Sequence, residues 1–199
     1  MFQKNILLFF TSCLLILNSC GGDTPKDKLN EIKSDASNFE DGVSSAMDYN
    51  DGVISELSLL DLKTYSLEKH FEKGLDDDYV GFYEECMNEY QRVSRVIRKV
   101  APAGIGGADF KASALEYIDS YGAMLKSYDP VSLTRILEQI ESDETLSIME
   151  MVSAMDSAIE DYQKKYNMLS EAQKIFASRN DVKIEEEAYD LDELYEETK

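Results

Sequence analysis

Apolar residues recur every three or four positions through most of the chain, which is the spacing of one face of an α-helix. A first stripe, interrupted by polar Asn50 and Thr64, comprises Val43, Ala46, Val53, Leu57, Leu60, Leu67 and Phe71. After a break rich in Gly and Asp, a second stripe comprises Tyr79, Tyr83, Cys86, Tyr90, Val93, Ile97 and Val100. Each stripe predicts one long amphipathic helix.

The second half of the chain predicts two further helices. One extends over 110–128 and is interrupted by Asp129 and Pro130. Beyond the proline the apolar positions change phase, so this helix is kinked or broken there. We favour a restart in which Asp129 is the N-cap and Pro130 the first helical residue. The longest stripe, over 148–176, predicts the last helix.

Four long helices with mostly short connections must lie antiparallel and side by side. The sequence therefore predicts an all-α fold, an up-down-up-down four-helix bundle over 39–181 whose third helix is kinked or broken at Pro130. No segment alternates apolar and polar residues with period two, so we expect no sheet.

The N-terminal pattern differs from the rest. Lys4 precedes an apolar run over 6–17, which is long enough for a secretory signal and too short to cross a bilayer of about 30 Å. The run ends in Leu17-Asn18-Ser19-Cys20 and is followed by two glycines, which resembles a bacterial lipobox. The resemblance implies that residues 1–19 are a signal peptide and that Cys20, carrying palmitate and related acyl chains, becomes the mature N-terminus.

Such a lipoprotein is attached to a membrane through its acyl chains. Each buried CH₂ group contributes about 0.8 kcal/mol, so two or three chains anchor effectively permanently. In similar lipoproteins the residue after the cysteine directs sorting, and Gly21 in place of Asp implies the outer membrane of a bacterial cell envelope. The sequence leaves open whether the protein faces the cell surface or the periplasm. We expect residues 20–38 to be a flexible tether, because Leu29 and Ile32 are too sparse for a core face.

The chain carries 40 acidic and 20 basic residues, a net charge of −20, which repels phosphate backbones and argues against a nucleic-acid partner. Residues 182–199 are especially acidic, and their composition predicts a solvated, largely disordered tail. The alternative is a short helix that docks on the Arg92–Lys99 cluster or on a partner. Four apolar residues would share its face: Ala188, Leu191, Leu194 and Tyr195.

No group of reactive residues indicates catalysis. His70 is the only histidine, and the chain has no Glu-x-x-His pair of the kind that di-iron bundles use. Cys86 lies on an apolar stripe, where a thiolate is disfavoured. Forty acidic residues make chance carboxylate pairs inevitable and each pair uninformative. We therefore expect no enzyme activity, no metal and no cofactor.

Asn50, Thr64 and Gln173 are polar residues on otherwise apolar stripes. One interpretation is control of helix register, since a buried polar group tolerates only the arrangements that satisfy its hydrogen bonds. The other is a small polar pocket inside the bundle, which would make the protein a binder of a small ligand. The sequence leaves both open.

Two stretches resemble a known pattern. Tyr49-Asn50-Asp51-Gly52-Val53-Ile54, followed by Glu56, resembles the opening of an uncharacterised family of bacterial helical surface lipoproteins. The closing run, from Met155 through Ala172-Gln173-Lys174-Ile175-Phe176-Ala177, resembles the last helix of that family. The resemblance implies a four-helix, surface-associated lipoprotein with no assigned activity. We therefore expect a lipid-anchored, non-enzymatic module that binds an unknown protein partner.

Overall fold

A computed structural model describes residues 24–71, 75, 77–141, 145–184 and 191–198. Within these ranges the protein is all-helical and has no strand, as the apolar pattern predicts. The seven helices described are α1 (Pro25–Asp41), α2 (Ala46–Phe71), α3 (Asp77–Lys99), α4 (Gly107–Ser127), α5 (Pro130–Glu141), α6 (Thr145–Asn180) and α7 (Leu191–Glu196). None of these described helices is long and apolar enough to cross a membrane. The predicted signal peptide and Cys20 lie outside the described residues.

Helix α1 occupies most of the segment that we predicted to be a flexible tether, so that prediction is wrong from residue 25 onward. Thr24 caps the helix. The Asp27 backbone N–H donates to the Thr24 hydroxyl over 3.3 Å, and the Thr24 N–H donates to the Asp27 carboxylate over 3.3 Å. Pro25 is the first helical residue, where its missing N–H leaves no hydrogen bond unmade.

A narrow apolar face holds α1 against α2. Its four members are spaced three or four residues apart and are at most 4% exposed: Leu29, Ile32, Ala36 and Phe39. The two helices come close at Gly52, where an added Cβ would lie 2.2 Å from Phe39 Cδ2. Sparse apolar residues therefore suffice for a buried face here, because Gly52 has no side chain to separate the Phe39 ring from α2.

The third predicted helix is broken at Pro130 into α4 and α5, as the favoured restart requires. The Ser132 backbone N–H donates to the Asp129 carboxylate over 2.9 Å, which is an N-cap hydrogen bond. The change of phase after the proline is also confirmed, because Leu133 and Ile136 are buried.

The main core joins α2, α3, α4 and α6, with α1 and α5 packed on it. At one end the ring of Tyr49 contacts Phe39, Phe110 and Phe176, with ring centroids 5.8 to 6.1 Å apart. Many residues of the predicted stripes are buried, among them Val53, Leu57, Leu60, Val93, Ile97, Ala114, Met124, Ile159 and Leu169. Helical periodicity thus identified the core-facing positions of the long helices.

Part of the acidic tail is an ordered helix, α7. Its Leu194 and Tyr195 are 5% and 8% exposed. They form a second apolar cluster with three residues of α1 and α2, which are Leu29, Leu62 and Tyr65. For residues 191–196 the predicted disorder is therefore wrong and the helical alternative is confirmed. Of the two docking sites considered for it, the Arg92–Lys99 cluster is wrong, since α7 packs on α1 and α2.

Candidate interaction surface

The predicted pocket residues Asn50 and Gln173 lie together inside the fold. Each is 1% exposed, and the Gln173 amide Nε2 donates to Asn50 Oδ1 over 3.2 Å. The Asn50 amide Nδ2 donates to Asp51 Oδ1 over 3.0 Å. Two buried amides that bind each other restrict how α2 and α6 can slide, which is the arrangement expected for register control.

Thr64 does not join that pair. It follows Asn50 by 14 positions along α2, a distance of about 21 Å at 1.5 Å per residue. Its hydroxyl donates to the Leu60 carbonyl over 3.2 Å, shares a hydrogen bond with the Tyr121 hydroxyl and lies 3.5 Å from Cys86 Sγ. The structure therefore brings together two of the three predicted pocket residues and places the third in a separate network.

A buried carboxyl group, Asp61, lies near that network. The Tyr117 hydroxyl donates to Asp61 Oδ1 over 3.0 Å and lies 3.0 Å from the Tyr162 hydroxyl. Burial raises the pKa of Asp61 to about 8. Asp61 Oδ2 is buried and has no hydrogen-bond partner in the part of the chain that the structure describes. No sequence signal distinguishes this residue among 40 acidic ones.

A second buried carboxyl group is paired. Glu56 is 0% exposed and receives two hydrogen bonds from the Arg92 guanidinium, over 3.1 and 2.5 Å. The same guanidinium also binds Glu40 and Glu89. Burial raises the pKa of Glu56, and Arg92 opposes the rise. These ion pairs join α1, α2 and α3, so the Arg92 side chain helps to hold the three helices together.

The residues considered for chemistry are engaged in packing. The His70 ring stacks on Phe82 with centroids 3.5 Å apart, and its Nδ1 lies 2.7 Å from the Ser66 carbonyl oxygen. Burial raises the pKa of the Cys86 thiol to about 12, which disfavours a nucleophilic thiolate. Among the described residues there is no group of three His, Cys, Asp or Glu side chains that could hold a metal ion.

The connection between α3 and α4 is held in one conformation by the end of α6. The Ile105 backbone N–H donates to Asn180 Oδ1 over 2.8 Å, and Asn180 Nδ2 donates to the Ile105 carbonyl over 3.0 Å. Gly104 has a φ of 75°, and a Cβ there would lie 2.8 Å from Ala46 Cβ. Glycine is needed at this position for both conformation and space.

This loop and the helix ends beside it carry three large apolar side chains that are exposed to solvent. Ile105 is 67% exposed, Met47 55% and Ile175 50%. Met47 follows Ala46, which lies against Gly104, and Ile175 lies on the last turns of α6 that hold the loop. We call Met47, Ile105 and Ile175 the tip surface. Exposed apolar side chains on a fixed backbone are typical of protein interaction sites.

An acidic groove lies between the end of α1 and the start of α2. Its volume is about 300 Å³, and it is lined by Asp35, Asn38, Phe39, Gly42, Val43, Ser44, Asp48 and Asp51. The hydrogen bond from Ser44 holds the pKa of Asp48 below its usual range. Burial and the neighbouring Asp51 raise the pKa of Asp35 to about 6. Three carboxylates and no basic residue among the lining side chains favour a cationic group in this groove.

Comparisons with protein-family models, characterised proteins and solved structures find no match. The lipobox and the family resemblance accordingly stay predictions. The tip surface was not predicted from the sequence, although one signal was present: Ile105 stands among glycines and off every apolar stripe. An apolar residue that no helix face can bury is a candidate for an exposed contact.

Proposed function

We propose that the protein is a non-enzymatic lipoprotein of the bacterial cell envelope, anchored in the outer membrane through acyl chains on Cys20, and that its tip surface binds a protein partner. The lipobox at 17–20 supports the anchor. The start of α1 at Pro25 also fits it, because five residues reach at most about 18 Å and keep the helical domain near the lipid.

The observation that carries the proposed interaction is the exposure of Ile105, which is 67%. The Asn180 side chain binds both the backbone N–H and the backbone carbonyl of Ile105 and so holds the loop in place. A residue whose backbone is already held in place needs little further backbone ordering on binding, so the burial of its side chain contributes more fully to affinity. Helix α1 is about 25 Å long, and residues 42–45 join its C-terminal end to the start of α2, where Met47 lies. An anchored molecule would thus present this surface away from its attachment point.

The acidic groove indicates the chemistry of the partner. Asp35, Asp48 and Asp51 line it, and the exposed Met47 directly precedes Asp48 in the chain. A complementary surface would combine a basic side chain, which enters the groove, with an apolar centre that covers Ile105. We therefore propose a partner that carries a mixed basic and apolar segment.

The four-helix bundle is part of the same proposal. The long helices α2, α3, α4 and α6 are the four members, and α1, α5 and α7 are additions to it. The successive long helices pack on one another, which supports this arrangement. The short connection at 100–106 between α3 and α4 fits the antiparallel order.

Anchoring is tested by Cys20→Ser, compared with Cys13→Ser inside the predicted signal. We expect the wild-type protein and Cys13→Ser to partition with membranes and to carry the added mass of acyl chains at residue 20. Cys20→Ser should lose both, because its side chain cannot form the thioether. Unchanged membrane partitioning of Cys20→Ser would contradict the anchor.

A further inference from the structure

Helix α7 occupies a cleft between α1 and α2. Its Leu194 and Tyr195 are buried against Leu29, Leu62 and Tyr65. The rings of Tyr195 and Tyr65 meet edge to face, with centroids 5.9 Å apart. Five side chains from three separate parts of the chain therefore form one small apolar contact.

This contact is separate from the main core. Its five residues form their own cluster, whereas Ile32 and Phe39 of α1 and the other buried apolar residues of α2 join the large one. A helix of six residues is too short to be stable in water by itself, so α7 depends on the cleft for its conformation. Helix α7 is thus attached through two buried side chains, Leu194 and Tyr195, whereas each long helix is held by a whole apolar face.

Charge also suits the cleft to α7. The helix Leu191–Glu196 contains three acidic residues and no basic one. Lys69 Nζ lies 4.8 Å from the centre of the Tyr65 ring, which Tyr195 of α7 contacts. A cation beside the apolar residues that receive an acidic helix favours this helix over a neutral or basic one.

We propose that this cleft is a binding site for an acidic helix, that its occupant is the chain's own α7, and that α7 is a displaceable strap that fastens the first turns of α1 to α2. Opening the strap would free Leu29 and the turns around it, while Phe39 and Gly52 keep the far end of α1 in place. The proposal is independent of the proposed function, since neither Cys20 nor the tip surface takes part.

Hydrogen exchange on the full chain tests the strap. In the double variant Leu194→Ala/Tyr195→Ala, we expect the amides of residues 28–34 to exchange at least tenfold faster than in the wild type. The amides of α4 and α6 should be unchanged, because the main core is intact. The control is Glu193→Ala, which alters an exposed side chain of the same helix and should leave residues 28–34 protected.

A synthetic peptide of residues 185–199 tests the cleft as a binding site. At millimolar concentration it should restore protection of residues 28–34 in the double variant, and it should do so less well at high salt. A peptide with both alanine substitutions should have no effect. Unchanged exchange in the double variant, equal loss of protection across α4 and α6, or failure of the native peptide to restore protection would each overturn the proposal.

Discussion

The buried carboxyl of Asp61 makes the stability of the fold depend on pH. Its pKa is about 8 in the folded chain and near 3.8 when the chain is unfolded. At a pH between these two pKa values, Asp61 holds a proton in the folded state and has released it in the unfolded state. The free energy of unfolding contributed by this group therefore falls as the pH rises from about 4 to about 8.

We predict that Asp61→Asn removes this dependence, because the amide cannot ionise and can still accept the Tyr117 hydrogen bond. Urea unfolding at pH 5 and pH 8 should show a difference in the free energy of unfolding that is smaller than in the wild type by more than about 1 kcal/mol. The control is the exposed Asp161→Asn, which should keep the wild-type dependence. An equal slope in Asp61→Asn and wild type would rule out Asp61 as its source.

Single positions differ in how far the sequence could predict them. Asn50 and Gln173 were recognisable as polar residues on apolar stripes, and the structure pairs them. Asp61 follows the buried Leu60 and was not recognisable, because its burial depends on Tyr117 of α4. The local sequence pattern around an acidic residue does not reveal that it contacts a helix far away in the chain, and acidic residues are too common here for their type to be a signal.

At the scale of helices, the position of α1 depends on the absence of a side chain at Gly52. An added Cβ would lie 2.2 to 2.6 Å from three atoms of Phe39, which is itself 2% exposed and packed on Tyr49. The ring therefore has little room to move, and a larger residue at position 52 must push α1 away from α2.

We predict that Gly52→Ala lowers the free energy of unfolding by about 1–3 kcal/mol through this overlap. Gly81→Ala is the matched control, because Gly81 is also helical and nothing lies within 4 Å of its added Cβ. That variant should be more stable than wild type by about 0.5–1 kcal/mol, the usual gain in helix propensity. Chemical denaturation of both variants measures the two effects, and equal effects would contradict the close approach.

Local signals predicted some helix boundaries well and others poorly. The break before Pro130 was predictable because proline and its capping residue Asp129 act locally. Helix α1 was not, since Leu29 and Ile32 form a buried face only when α2 offers Gly52 opposite them. Helix α7 likewise depends on a cleft that residues far away in the sequence build.

At the scale of the whole molecule, the helical class followed from periodicity, whereas the surface did not. The net charge of −20 indicated what the protein repels without locating a site. The acidic groove needs the end of α1 and the start of α2 to meet, and the tip surface needs Asn180 to hold the loop around Ile105. Both are products of the turn geometry at one end of the helices.

The raised pKa of Asp35, about 6, predicts that the groove binds cations less well in mild acid. As the pH falls through 6, Asp35 gains a proton and the groove loses negative charge. A fluorescent hexalysine peptide at constant ionic strength should therefore bind about two- to fivefold more weakly at pH 5.5 than at pH 7.5. Asp35→Asn should bind weakly at both values. The same pH dependence in Asp35→Asn and wild type would place the effect elsewhere.

The most direct test of the proposed function is photo-crosslinking in intact cells, with a photoreactive amino acid at Ile105 or at Val131. The two side chains are 67% and 68% exposed, so they differ in position and not in accessibility. We predict a discrete adduct with one protein from position 105 and none from position 131. The yield of this adduct should fall when the chain with the photoreactive residue at position 105 also carries Cys20→Ser. Equal labelling from both positions, or no adduct from position 105, would contradict a partner at the tip surface.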